Sequence, residues 1–300
     1  SANSDEYLFT GGTAAELARS SDLHGHEWIA AADISRLSHG RALIRGGEAI
    51  DLKIAMLTAG HLAHTETTAR VEQGRVRARE RDLLGTIELS SRQVSPTPEQ
   101  CITANSAWLA DALADASPNL DRDTEQLRRR MAFLHTHRGV PWPDVSPAGL
   151  AAQAELLFAG ELDRPTPPTL DAEHLRRLLP WPEATDFDSL VPERLEVPSG
   201  SKIRLEYPED PTDEEAQIVL AVKLQECFGM AETPQVLEKP VTMHLLSPAQ
   251  RPLAVTGDLE SFWNGAYAQV RSEMRGRYPK HPWPENPWEE QATARTKRRR

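Results

Sequence analysis

The hydrophobic pattern changes period at Pro96-Thr97-Pro98, and that change excludes a chain built from one kind of element. Upstream, the runs WIAAADI (28–34), RALIR (41–45), RVRARER (75–81) and LGTIELS (84–90) are short and separated by Gly, Asp, Ser or His clusters. This predicts strands over residues 7–97 with one short helical insert, forming a small β-barrel or half-barrel. Downstream, Ile102, Leu109 and Leu113 fall on one helical face, and Leu127, Met131 and Leu134 repeat the spacing. Arg128, Arg129 and Arg130 are expected to project away from that stripe. A further helix is expected around 148–158, a linker at 164–168 and a short helix at 172–179. Trp142 and Trp181, each between two prolines, are expected to pin helix ends to the core.

From about residue 191 the pattern is mixed. Ile203, Leu205 and Tyr207 alternate with Lys202, Arg204 and Glu206, so VPSGSKIRLEY reads as a turn entering a half-buried strand. IVLAV and VTMHLL are two more strand candidates, with LQECFG between them as a short helix closed by Gly229. Asp258 is placed to cap a helix whose Leu259, Phe262, Trp263, Ala266, Val270 and Met274 follow a 3.6-residue stripe. Arg271 and Arg275 then sit at the negative end of that helix's dipole. The expected organisation is a β-domain over 1–97, a helical module over 98–190, a mixed α/β module over 191–288 and a basic, disordered tail over 289–300. A like-charge block without apolar residues buries nothing.

Composition narrows the function classes. With 39% hydrophobic and 26% charged residues, 300 residues can build two or three small globular domains. No run approaches the length of an apolar membrane span, and SANSDEY lacks the features of a secretory signal, so a cytoplasmic location and no membrane partner are expected. Cys101 and Cys227 form no CxxC pair and are expected to be structural thiols. The net charge of −11 argues against an anionic partner until its distribution is read. Residues 271–300 hold nine Lys/Arg against four Asp/Glu, a balance of +5 that leaves −16 on the first 270 residues. Local potential, not the sum, decides where a phosphate binds.

The chain carries no phosphate loop of the form GxxxxGK[ST] and no GxSxG elbow. Asp213-Glu214-Glu215-Ala216 approaches a DExH box but lacks the histidine. His24 with His26, and His135 with His137, would need a third ligand from elsewhere to hold zinc. No catalytic or metal site is expected in this chain.

An ordered series of segments, VPSGSKIRLEY, LAVKLQECFGMAETP, PVTMHLLSPAQRPLAVTGDLESFW and VRSEMRGRYPKHPWPENP, resembles the C-terminal region of the HrpB family of bacterial DExH-box ATP-dependent helicases. The resemblance is most specific over 192–287 and extends upstream through HEWIAAADI, GRVRARER and LGTIELSSR; the acidic link PEDPTDEEAQ is longer and more charged than the family's usual one. It implies an α+β chain with an N-terminal OB-like small β-barrel, a helical middle and a C-terminal module with a Pro/Trp-rich strap. It also implies RecA-like motor domains that use ATP and Mg and lie outside this chain. The start at Ser1 in place of Met accords with a fragment that lacks them. No cofactor is expected in the chain itself.

The expected role is binding or guiding single-stranded RNA or DNA beside the motor. The alternative is a module that docks a partner protein or braces the motor. Arg75, Arg77, Arg79 and Arg81 occupy every second position and would line one strand face, either tracking phosphates or guarding an edge against aggregation. Glu72, Glu80 and Asp82 are near enough in sequence to neutralise part of that stripe. Arg271, Arg275, Arg277, Lys280 and His281 accompany Tyr278, Trp283 and Trp288, a combination suited to unpaired bases and equally to a packed strap with its cations outward. Lys202 and Arg204 follow Ser199-Gly200-Ser201, either as a phosphate nest or as a tight turn into a solvent-facing strand. Arg251 stands in a proline-bounded loop with no carboxylate nearby in sequence.

Overall fold

A computed structural model describes residues 6–36, 42–114 and 120–294. The chain is α+β and forms two compact units, residues 1–108 with 160–168 and residues 109–159 with 169–300. The helical stretch 98–190 is therefore shared between the units. Residues 295–300 of the expected disordered tail lie outside the described residues.

In the first unit, β1 (Glu6–Leu8), β2 (Ala14–Leu17), β3 (Trp28–Arg36) and β4 (Ala42–Ile50) form a sheet of order β1-β2-β4-β3, in which β2 and β4 run parallel. Ala15, Leu17, Leu23 and Ile44 are its buried core. The expected helical insert is α1 (Leu52–Ala59), started by Asp51, whose carboxylate accepts from the Ile54 amide at 2.8 Å. After it, β5 (Ala63–Glu72), β6 (Arg75–Leu84) and β7 (Ile87–Val94) form a separate antiparallel meander with β6 at its centre. The strands thus divide between two sheets, and among the described residues neither closes into a barrel. This corrects the closed form of the expected β-barrel.

Helix α2 (Pro98–Ala114) begins at a reciprocal cap in which the Thr97 amide donates to Gln100 Oε1 and the Gln100 amide to Thr97 Oγ1. Cys101 and Ala104 pack on Val76, Ala69 and Val71, so α2 covers one end of one face of the meander. Ile102, expected inside, is exposed; one turn of helix places Cys101, Ala104 and Asn105 inward instead. Buried Asn105 donates from Nδ2 to the carbonyls of Leu162 and Arg164, and the Val76 amide donates to Pro165, which fixes the returning segment 160–168 beside β6.

The second unit takes in the end of α2 from Leu109, then α3 (Arg122–Arg138), capped by Asp121, and continues through α4 (Pro147–Ala152), α5 (Ala154–Leu157), α6 (Ala172–Arg177) and α7 (Phe187–Leu190). Arg128 and Arg130, expected to point outward, are buried. Arg128 Nε sits 2.8 Å from Glu125, and Arg130 donates to the Val191 carbonyl and to Asp188 while lying 4.7 Å over the Phe187 ring. Trp142 is buried as expected, whereas Trp181 is 73% exposed and pins nothing.

A five-stranded sheet follows, built from β8 (Arg194–Glu196), β9 (Lys202–Glu206), β10 (Val219–Lys223), β13 (Thr242–Leu246) and β14 (Pro252–Thr256); β11 (Gln235–Val236) and β12 (Lys239–Pro240) form a small hairpin between β10 and β13. Its order is β14-β13-β10-β9-β8, with β10 and β13 parallel. Leu205, Leu220, Val222, Met243 and Leu245 point into the core at alternate positions, as the sequence predicts. The helix expected after Asp258 is two helices, α8 (Leu259–Asn264) and α9 (Tyr267–Arg277), broken at Gly265. The break resets the phase, so Tyr267 is buried in place of Ala266. Burial pushes the Cys227 thiol up to about 12 and also raises that of Cys101, so both are inert structural thiols.

Candidate nucleic-acid interface

The arginine stripe lies on the central strand of the meander. Alternation along β6 buries Val76 and Ala78 and turns Arg75, Arg77, Arg79 and Arg81 to the opposite face. From Ala78 onward β6 pairs on both sides, so Arg79 and Arg81 guard no edge; at Arg75–Arg77 its only strand partner is β5, and the Val76 amide donates to the Pro165 carbonyl of the returning segment. Register places Glu72, Arg70, Thr68 and Glu66 of β5 opposite Arg75, Arg77, Arg79 and Arg81 in turn. Arg70 was hidden from the sequence reading because β5 lacks the apolar alternation that marks a half-buried strand.

The face has a neutralised end and a cationic end. Arg81 pairs with Glu66 at 3.1 Å and lies 3.9 Å from Glu88 on β7. Glu80 and Asp82, expected to offset the stripe, are on the other face. There Glu80 holds Arg92, and Asp82 accepts from Ser90 and Thr65, hydrogen bonds that keep its carboxyl below the usual range. Among the described residues Arg70, Arg75, Arg77 and Arg79 have no ion pair, and Arg70 directly opposes Arg77 across the strands. Like charges so placed destabilise a sheet, and a bound anion would remove that repulsion.

Two hollows follow this end of β6. One of about 340 Å³ is bordered by Arg70, Arg77, Arg79, Arg81 and Gln93 together with the carboxylates Glu72 and Glu88, and one of about 600 Å³ by Arg75, Arg77, Gln93 and Pro165. They share Arg77 and Gln93. Arginines two residues apart on a strand are separated by about 6.7 Å, a spacing suited to successive phosphates of an extended strand. Neither hollow has an aromatic wall, so contact here would be to backbone phosphates and not to stacked bases.

The cations of the second unit are placed differently. Arg204 donates to Asp123 at 2.7 Å and to Glu193 at 2.8 Å, and both carboxylates hold its guanidinium above its usual pKa. It braces β9 within its own unit. The turn before it is occupied from within, since Ser199 Oγ bonds Ser201 Oγ and Glu226. Lys202 stays exposed. Arg204→Gln is expected to lower stability by about 1 kcal/mol and to leave strand affinity within about twofold. Urea unfolding and a binding titration of the same variant check this, and an affinity loss at unchanged stability would return Arg204 to the interface.

Arg271 is likewise engaged, with Glu285 at 2.8 Å and the Trp283 carbonyl at 3.0 Å. Trp283 is buried and its indole Nε1 donates to the Tyr278 carbonyl, so its face is not offered to a base. Arg251, Arg275, Arg277 and Lys280 are exposed and without an ion pair among the described residues. The strap holds Trp283 inward and Lys280 outward, and Arg275 and Arg277 point outward from the last turn of α9. The histidine pairs are used locally: His135 Nδ1 lies 2.8 Å from the Trp142 carbonyl, and His137 packs edge-on against Phe133.

Comparison with known proteins agrees with this architecture. Residues 168–287 match a family model described as "ATP-dependent helicase C-terminal". The ATP-dependent RNA helicase HrpB of Escherichia coli K12 is 40% identical over 190 residues, which is 60% of this chain and 23% of that protein. The crystal structure of the E. coli DExH-box NTPase HrpB covers 97% of this chain at 30% identity and a TM-score of 0.60, using 37% of its own length. A crystal structure of the E. coli DEAH/RHA helicase HrpB covers 93% at 28% identity and a TM-score of 0.53, using 35% of its length. The chain thus spans about a quarter of the curated relative and about a third of the solved ones. Among the described residues no helix is long and apolar enough to cross a membrane. By sequence over residues 168–287 and by fold along nearly all of its length, the chain matches the C-terminal region of HrpB-type helicases.

Proposed function

We propose that this chain is the accessory C-terminal region of an ATP-dependent helicase and that it holds single-stranded nucleic acid, RNA in the first instance, beside RecA-like motor domains that carry the ATP and Mg chemistry in the cytoplasm. The observation that carries this reading is the face of Arg70, Arg75, Arg77 and Arg79, unpaired among the described residues and bordered by two hollows. The N-terminal strands serve in this reading as the family's OB-like element. Lys202, Arg251, Arg275, Arg277 and Lys280 are secondary phosphate contacts. The chain contributes strand binding and coupling, with no bond chemistry of its own.

A second reading is favoured by α1. Seven of its eight residues escape burial, with Leu57 78% exposed and Ala55 alone buried. An apolar helix left open to water fits a bracing or protein-docking surface of the same helicase.

Fluorescence anisotropy of a labelled single-stranded RNA, titrated with the chain at about 50 and about 200 mM salt, separates the two. One phosphate contact from each of the four arginines of that face predicts a slope of about −3 in log affinity against log salt, or about a 50-fold loss over that range. Absence of binding at the lower salt would leave the bracing role as the better account.

A further inference from the structure

We propose that the chain also carries a cation-accepting pocket, which binds an arginine side chain of a partner polypeptide and is separate from the arginine face. The pocket, of about 340 Å³, is lined by Ala231, Glu232, Glu260, Trp263, Asn264 and Trp288, with no lysine or arginine among them. Two indoles and two carboxylates in one small hollow suit a guanidinium. The rings attract a cation through their quadrupole, and the carboxylates accept its N–H groups in charge-assisted hydrogen bonds.

The walls are set before any ligand arrives. Trp263 is buried, its Nε1 donates to the Met230 carbonyl at 2.8 Å, and Phe228, Phe262 and Tyr267 surround its ring. Trp288 follows Pro287, whose carbonyl accepts the Gly229 amide at 2.9 Å, and the Asn286 side chain bonds Glu289 just beyond it. Trp288 nevertheless remains 40% exposed, an indole held in place with part of its surface in water. Glu232 and Glu260 have no ion pair among the described residues. Glu260 is also in the first turn of α8, so its position is fixed by a helix and not by a mobile loop.

The same carboxylates argue against a nucleotide here. A base could stack on Trp288, but its phosphates would meet two negative charges. Arginine fits better than lysine because its flat guanidinium can lie on an indole and still present donors at its edge. The pocket sits on the strap that closes the second unit, so a bound arginine would tie a partner to the segment just before the basic tail.

The test uses the whole chain and a Gly-Arg-Gly amide peptide, with a Gly-citrulline-Gly amide as its neutral counterpart of nearly the same shape. Indole N–H signals are followed by NMR, with Trp288 assigned through Trp288→Phe. The arginine peptide is expected to shift the Trp288 and Trp263 signals saturably, and the citrulline peptide to bind at least about tenfold more weakly. Glu232→Gln with Glu260→Gln is expected to weaken the arginine peptide by about tenfold. Equal binding of the two peptides, no shift at millimolar peptide, or unchanged affinity in the double variant would each overturn the proposal. The citrulline arm needs no substitution and therefore stands if the double variant folds poorly.

Discussion

Phe228→Ala is expected to destabilise the unit formed by residues 109–159 and 169–300 by about 3–5 kcal/mol, the range for an aromatic lost from a packed core. Phe228 has no exposed surface. Its ring centroid lies 6.2 Å from that of Trp263 and 6.5 Å from that of Tyr267. Neither neighbour can move in to fill the space. Trp263 is held by the Met230 carbonyl, and the Tyr267 hydroxyl donates to the Pro284 carbonyl at 2.9 Å. A cavity that cannot collapse keeps its full cost, which places the expected loss in the upper part of the range. Phe228→Leu, which refills most of the volume, should lose about 1–2 kcal/mol. Urea unfolding followed by tryptophan fluorescence gives both values. A loss below about 1 kcal/mol for the alanine variant would mean that the strap is not anchored on this cluster.

That cluster shows what could be read from the sequence. The stripe of Leu259, Phe262 and Trp263 is local and periodic, and it was visible. Its continuation was not, because Gly265 breaks the helix and the next turn starts in a new phase with Tyr267 inside. The alternating strands β6, β9, β10 and β13 were likewise legible, since a sheet face buried on one side imposes a period of two. Strand β5 was hidden: none of its ten residues is buried, and it is a strand because β6 pairs with it along its whole length. With β5 hidden, Arg70 had no place in the candidate site. Burial of Arg128 and Arg130 was hidden for a different reason. A guanidinium turns inward only where acceptors await it; those of Arg130, the Val191 carbonyl and Asp188, are about sixty residues away in sequence, while Arg128 is held by Glu125 one turn before it, a pairing that by itself does not announce burial. Closure of the N-terminal strands is a third such case. It depends on which strands pair, and periodicity specifies faces without specifying neighbours.

The alternatives weighed for the arginine stripe were separated by strand order, a non-local fact. Four arginines at alternate positions are equally compatible with a guarded edge and with a phosphate track. Pairing with β7 from Ala78 onward removes the first explanation for Arg79 and Arg81, and at Arg77 the opposition of Arg70 adds a cost that an edge guard would not need. In the second unit the reverse holds. Arg204 and Arg271 had the sequence context of phosphate contacts, but carboxylates distant in sequence claim both. Exposure and charge alone therefore do not identify a binding cation; freedom from an internal partner is the informative property.

The meander's own geometry makes the second large effect. Gly85→Ala is expected to lower stability by about 3 kcal/mol or more, whereas Gly74→Ala in the neighbouring turn should lose about 1 kcal/mol. Both glycines have positive φ, +60° and +73°, so an alanine is strained at either position. They differ in what surrounds them. A Cβ on Gly74 would meet nothing within 4 Å, while one on Gly85 would stand 2.1 Å from the Thr10 carbonyl oxygen and 2.8 Å from its carbon. Thr10 cannot simply withdraw. Its carbonyl accepts the Thr86 amide at 3.0 Å, Thr86 Oγ1 donates to the Phe9 carbonyl at 3.1 Å, and the Gly85 amide donates to Leu62. The difference between the two variants thus isolates the steric clash from backbone strain, and equal losses in thermal or urea unfolding would show that the turn yields. Gly85 and Thr86 also connect β6 to β7 beside Glu88, which closes the neutralised end of the arginine face. A turn forced out of place shifts Glu88 from Arg81. RNA affinity of any Gly85→Ala protein that still folds is then expected to change, while that of Gly74→Ala stays within about twofold.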